Sequence, residues 1–367
     1  MGLLDYYKQF EGMSDDEVSE QLRARAEERR RLALAKVEPL DLARTTWHEM
    51  PHPEVVSAVT YATRRGINRA PQAGAAELRE ALGRRTGLEP DRVAVGAGAS
   101  GLLDAAAAAL LAPGDELLTV WPGYPLHPAL AARHGATPVA VPALDPDALL
   151  AAVTPRTRLL LVASPSDPTG ARLSADDLGR LAGALPEHVT PVIDEALVDF
   201  VDAEDPDATL ALLDDHPRLV LVRTLSKAYG LAGLRAGWAL GGEQTPPLLA
   251  RMMPPGGLAD PVAAGMLEAL RVCGPQVAAR RAQVAAERRR ILDALHDLPA
   301  DAPPSQTNSL WLGAAGLTAP ELAARLGRSG VIVAQGGDLG DDTRVRVTVQ
   351  SGPATDRLLD ALRQALG

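Results

Sequence analysis

Lysine is nearly absent from this 367-residue chain: of its 37 lysine and arginine side chains, only Lys8, Lys36 and Lys227 are lysine. A guanidinium stays protonated at any working pH, whereas a desolvated primary amine can lose its proton and attack a carbonyl. A chain that draws its positive charge from arginine marks each retained lysine as a candidate for amine chemistry. Cysteine is scarcer still. Cys273 stands alone, which excludes an intrachain disulfide and a cysteine metal cluster, so no metal is expected and a reducing cytoplasm is the natural setting. Aromatic residues make up only 3% of the chain, so any placed in a turn stands out. No apolar run is long enough to span a bilayer, and the start has no charged-apolar-small leader pattern. Gly2 follows Met1, but Tyr6 occupies the place where a myristoylation signal has serine or threonine. Positive charge is in deficit, and a net charge of -10 argues against nucleic acid or an anionic membrane as partner.

The length exceeds the roughly 250 to 300 residues at which a single core stops growing, so two domains are expected. Residues 14–36 open on Ser14 as an N-cap and read as a helix dense in Arg and Glu, with a solvated face, ended by Pro39. Residues 45–53 read as an extended crossing segment and 54–65 as a helix. From Leu88 onward, apolar runs of strand length at 93–95, 117–120, 139–141, 159–162, 191–193 and 219–222 alternate with helical patterns. That alternation predicts a mostly parallel sheet with helices on both faces. After Gly241-Gly242 the prolines Pro246, Pro247, Pro254 and Pro255 punctuate the chain, and helices follow over 261–271 and 276–295. The expected division is an N-terminal helix and arm (1–50), a large α/β domain (51–245) and a smaller α/β C-terminal domain (246–367).

Ligands of such sheets bind beyond the carboxyl ends of the strands, and the chemically loaded motifs fall there. Gly96-Ala97-Gly98-Ala99-Ser100-Gly101 follows a strand and precedes an alanine-rich helix over 102–111. It fits G-x-G-x-x-G, but the next strand ends in Val120-Trp121-Pro122-Gly123 without the acid that a dinucleotide ribose needs. A phosphate cradle at the helix N-terminus fits without that acid. Tyr124 follows in the turn, then Ser164-Pro165-Ser166-Asp167-Pro168-Thr169-Gly170, and Asp194 ends the run Val192-Ile193-Asp194. Residues 223–238 set Lys227 among small residues between two apolar runs. Near the C-terminus, Val345, Val347 and Val349 alternate with Arg346 and Thr348, which puts Arg346 on the opposite face, its planar fork suited to a carboxylate or phosphate.

The run Arg223-Thr224-Leu225-Ser226-Lys227, leading into Gly230-Leu231-Ala232-Gly233-Leu234-Arg235, resembles the cofactor-lysine motif of fold-type I aminotransferases, most closely the histidinol-phosphate aminotransferase family. Pro304-Ser305-Gln306-Thr307-Asn308 and residues 345–349 extend the likeness into the C-terminal part. The resemblance implies a pyridoxal 5'-phosphate enzyme in which Lys227 forms a Schiff base with the cofactor. It further implies that Tyr124 stacks on the ring, that Asp194 faces the ring nitrogen, and that Ala99, Ser100, Ser226 and Arg235 meet the phosphate. Thr224 and Asp167 complete the cofactor shell, and Arg346 with Asn308 meets the substrate. A protonated ring nitrogen makes the cofactor a better electron sink, which gives Asp194 its purpose. The implied activity is amino transfer between a small amino acid and a 2-oxo acid, in a homodimer.

Several positions depart from the family pattern. Thr45-Thr46-Trp47-His48 replaces Asn-Glu-Asn-Pro; Ala70 replaces the tyrosine that reaches a partner's cofactor phosphate; Leu197 replaces a tyrosine donor to the phenolic oxygen. Ala334 stands where an arginine helps bind substrate phosphate, which disfavours histidinol phosphate. Asp167 replaces an asparagine donor, and an ionised carboxylate only accepts; with neither usual donor on the phenolic oxygen the Schiff base should hold its proton more tightly than in typical members, unless Asp167 is neutral or turned towards a nearby arginine. Three alternatives stay open: a cofactor-dependent decarboxylase, racemase or lyase on the same fold, a nicotinamide dehydrogenase using residues 96–101, and a non-catalytic binding protein.

Overall fold

The computed structural model describes residues 12–34, 38–71 and 74–367; Gly2, Tyr6, Lys8, Lys36 and Gln72 lie outside the described residues. The strands in chain order are β1 (Leu40–Asp41), β2 (Val93–Gly96), β3 (Glu116–Val120), β4 (Thr137–Val141), β5 (Thr157–Ala163), β6 (Thr190–Asp194), β7 (Val220–Thr224), β8 (Gly237–Gly241), β9 (Ala300–Asp301), β10 (Ser309–Ala314), β11 (Val331–Ile332), β12 (Ala334–Gln335) and β13 (Arg344–Thr348). The six strands expected in the large sheet all form, within two residues at either end. Their apolar runs are continuous because both faces are buried: Val93, Leu118, Leu160, Ile193 and Leu221 enter one core, while Ala94, Leu117, Leu159, Val192 and Val222 enter the other.

The seven-stranded sheet has the order β2-β8-β7-β6-β5-β3-β4. Every pairing is parallel except those of β8, which runs antiparallel between β2 and β7. The carboxyl ends of β3, β5, β6 and β7 therefore open on one side, and β2 ends beside β7 across β8. A four-stranded antiparallel sheet, β12-β13-β10-β9, forms the C-terminal α/β part, and β1 pairs with β11 in parallel. The chain thus has an α/β architecture built on a mostly parallel central sheet, as expected.

The helices Pro246–Met252 and Asp260–Val272 pack back on the large sheet's own helices: the first on Gly98–Leu110 and β2, the second on Pro53–Gly66 and Gly74–Thr86. Helix Gly98–Leu110 starts four residues earlier than the expected 102, so residues 98–101 are its first turn rather than a loop before it. Gly98, at φ +76°, makes the abrupt entry from β2 that a side chain would resist. Gly170, at the same φ, closes the turn after Asp167, and a Cβ there would stand 2.3 Å from Ser305 Oγ. With Gln306 N donating to Gly170 O at 2.9 Å, this close approach ties the turn to the chain entering β10.

Candidate active site

A cavity of about 140 Å³ opens at the carboxyl ends of the strands, lined by Thr46, Ala99, Ser100, Tyr124, Asp167, Asp194, Leu197, Thr224, Ser226, Lys227 and Arg235 among others. All nine residues that the sequence assigns to the cofactor thus line one cavity. Arg346 and Asn308 stand one shell away, Arg346 in contact with Asp167 and Asn308 with the segment beneath Lys227.

Lys227 follows β7 by three residues. Its Nζ donates to Thr45 Oγ1, on the crossing segment, and burial pulls the ammonium pKa below the ordinary lysine value, with the nearby Asp167 carboxylate opposing. Thr45 is itself fixed, since Asn308 Nδ2 donates to its carbonyl at 3.0 Å. Asp194 closes β6 with one oxygen accepting from Ala196 N at 3.0 Å and the other 3.3 Å from His127 Nε2. Both Asp194 and His127 are buried. Tyr124 meets His127 edge-on, ring centroids 5.6 Å apart, and burial beside the Asp194 and Asp167 carboxylates raises its phenol pKa. His127 was not singled out in the sequence; a lone histidine in Leu-His-Pro carries no periodic signal, and only the fold brings it to Asp194.

The opposite end of the cavity is built for an anion. Helix Gly98–Leu110 begins at Ala97, which makes no side-chain cap bond, leaving first-turn N–H groups for a ligand. Arg235, held at φ +52°, donates from Nη2 to Ser100 Oγ at 2.9 Å and reaches over Gly98, where a Cβ would meet that nitrogen at 2.8 Å. Thr224 Oγ1 lies 3.0 Å from Ser226 Oγ. A phosphate cradle, an amine with a depressed pKa and a buried carboxylate in one small cavity fit pyridoxal 5'-phosphate: anion, aldehyde and ring nitrogen each find the group they need.

The departures from the family pattern also find their places. Asp167 is turned to Arg346, whose Nη1 lies 2.8 Å from both carboxylate oxygens, while Nη2 donates to Ala43 O at 2.8 Å. Leu197 is buried and presents an apolar wall to the cavity. Ala334 pairs with Arg346 across β12 and β13, and Ala70 is exposed, away from the cavity. Among the described residues no group of His, Cys, Asp and Glu is placed to hold a metal, and no helix is long and apolar enough to cross a membrane.

The model of aminotransferase class I and II matches residues 37–364. The chain is 37% identical over 318 residues to an aromatic amino acid aminotransferase of Mycolicibacterium vanbaalenii, covering 85% of this chain and 88% of that one. The structure resembles histidinol-phosphate aminotransferase from Sinorhizobium meliloti in complex with pyridoxal 5'-phosphate, with TM-score 0.80, 27% identity, and 92% and 93% of the two chains covered. It also resembles an aspartate aminotransferase double mutant from Thermus thermophilus, with TM-score 0.80, 26% identity, and 94% and 96% covered. Read with the cavity that gathers Lys227, Asp194 and Arg235, these matches show that the chain belongs to aminotransferase class I and II and is a pyridoxal-phosphate-dependent aminotransferase.

Proposed function

We propose that Lys227 would hold the cofactor covalently and would carry the proton to and from the substrate α-carbon. The observation that carries this is the convergence, in one cavity, of an amine whose pKa burial depresses, the carboxylate of Asp194 and the cradle of Ser100, Ser226 and Arg235. Bound pyridoxal phosphate supplies an electron sink for the carbon that loses the proton. Asp194, held by His127 and Ala196 N, would keep the ring nitrogen protonated, and Tyr124 would cover the ring. Ala99 and Thr224 would shape the cradle, Leu197 and Asp167 would border the ring's oxygen, and Thr45 accepts from the lysine amine when it is free. Arg346 and Asn308 form the end that reads the substrate's acid group. A positioned general acid/base contributes about 10²- to 10⁴-fold.

The donor class best supported is an apolar, including aromatic, L-amino acid. Ala163, Pro165, Ala196 and Leu197 line the cavity with apolar surface, and the Mycolicibacterium relative bears the name of an aromatic amino acid enzyme. A 2-oxo acid takes the amino group in return. We further place the enzyme in the cytoplasm as a homodimer, on the single buried cysteine and on an apolar surface around residues 50–67. We place the division between its large and small parts at 245/246, with the helices Pro246–Met252 and Asp260–Val272 packing back on the large sheet's side. The deciding experiment is a half-reaction. Pure holoenzyme is mixed with each L-amino acid, and keto acid and pyridoxamine phosphate are assayed against the cofactor's visible band. Stoichiometric keto acid establishes the donor; carbon dioxide, inverted amino acid or an eliminated fragment instead refutes amino transfer.

A further inference from the structure

A second cavity, of about 210 Å³, shares no lining residue with the one around Lys227. Its charges come in two sets from different elements. Asp199, Asp205 and Asp207 belong to the segment after β6, whereas Arg85 lies in the last turn of the helix Gly74–Thr86 and Arg281 on the helix Gly274–Leu295. Arg223 also lines the cavity, but its charge is taken up by Glu195, 2.7 Å from Nε, and by Asp207. The remaining charges stay apart. Among the described residues neither Arg85 nor Arg281 forms an ion pair, and the Asp199 carboxyl has no hydrogen-bond partner. Tyr229 lines the same cavity, only 4% exposed, and its hydroxyl is likewise unpartnered.

An unpaired charge or hydroxyl that is taken out of water costs stability, and burial pushes the Asp199 carboxyl up to about 6. Amino transfer uses neither group. Water would satisfy the hydroxyl, but it would not account for two sets of opposite charge held apart across one cavity. Leu82, Leu210, Trp238 and Val277 add apolar lining, and apolar walls with a few converging polar groups are what a small-molecule site needs. The charge pattern is the complement of a zwitterion. We propose that this second cavity binds a free amino acid with an apolar side chain, its ammonium at Asp199 and Tyr229 and its carboxylate at Arg281 and Arg85. The site is separate from the amino-transfer centre and does not depend on that reading.

The test closes the first cavity and titrates the second. Borohydride fixes the cofactor to Lys227, so incoming amines no longer displace it. L-Leucine is then titrated calorimetrically into the reduced wild type, Asp199→Asn and Arg281→Ala, beside 3-methylbutylamine and 4-methylpentanoate, which each lack one of its charged groups. L-Leucine should bind the wild type at least about tenfold tighter than either half-ligand, and each variant should weaken it at least about tenfold, the loss of one charge-assisted contact. Asp199→Asn should leave 4-methylpentanoate unmoved, and Arg281→Ala should leave 3-methylbutylamine unmoved. No saturable binding of L-leucine to the wild type would mean water only and overturns the proposal. Binding that either variant leaves unchanged also overturns it, placing the ligand elsewhere, as at Arg346. Should Arg281→Ala fail to fold, Arg281→Gln takes its place, and the wild-type comparison of L-leucine with its half-ligands still decides. Failure of the amino-transfer reading shows separately, as a protein that borohydride does not modify at Lys227, and the same titrations are then read on the untreated protein.

Discussion

Lys227 lines the cavity beside the other residues that the sequence assigns to a cofactor, and its burial has a measurable consequence. Burial disfavours the ammonium form, so the folded-state pKa lies below the ordinary value and the neutral amine is populated at lower pH than in a free lysine. The rate at which apoenzyme takes up pyridoxal phosphate covalently should therefore rise with pH to a midpoint below about 10.4, the unperturbed lysine value. Stopped-flow absorbance at a series of pH values reads that midpoint, and one at the unperturbed value would remove burial as the activating device. Lys227, Asp194 and Arg235 were legible because each belongs to an unbroken local run. His127, Thr45 and the partner of Asp167 were not, because their contacts span 67, 182 and 179 residues and only the closed sheet creates them.

At the scale of the element, the same distinction separates strands from the way they are ordered. Apolar runs announced six strands, since a sheet buried on both faces writes its strands as continuous hydrophobic segments. β8 escaped because Gly237-Trp-Ala-Leu-Gly241 reads as a tail of the lysine motif, and nothing local says that it enters antiparallel between β2 and β7. The start of helix Gly98–Leu110 was misjudged by four residues because its first turn is written in glycines. Gly98→Ala places a Cβ against Arg235 at a positive φ, so it should cost roughly 1 kcal/mol or more in stability. The displaced arginine should weaken cofactor retention about tenfold, the loss of one charge-assisted bond, measured by equilibrium dialysis. A second element, the turn Val198–Phe200 behind β6, carries Asp199, whose carboxyl burial pushes up to about 6, against the pull of Arg223. A raised carboxyl pKa favours the fold at low pH, and that contribution disappears as pH climbs through about 6. Asp199→Asn should accordingly melt higher than the wild type at pH 8, by at most about 3 kcal/mol in stability, with the advantage shrinking towards pH 5. Scanning calorimetry at the two pH values checks it; an advantage independent of pH would place the effect in packing instead.

At the scale of the whole molecule, the arrangement of apolar surface points outward from the site. Most large apolar side chains are buried in the two cores flanking the central sheet. Yet Met50, Val56, Tyr61 and Ile67 are all exposed within 18 residues, Ile67 at 75% and Met50 at 83%. Large apolar side chains left this exposed are candidates for association. These residues lie on the helix Pro53–Gly66 and its two flanks, immediately after the segment whose Thr45 touches Lys227 and whose Thr46 lines the cavity. Covering them with a second copy would therefore also brace the wall of the active site, and the two properties should fail together. Analytical ultracentrifugation of the wild type should give twice the chain mass. Ile67→Glu, which buries a charge if these side chains are covered and is nearly silent if they are not, should raise the dissociation constant at least a hundredfold, on the order of 3 kcal/mol. Specific activity should then fall on dilution in step with the dimer fraction. A variant that becomes monomeric at full specific activity would break that link, showing one chain's wall to be rigid by itself, with Thr45 and Thr46 held by Asn308 and the small sheet rather than by the partner.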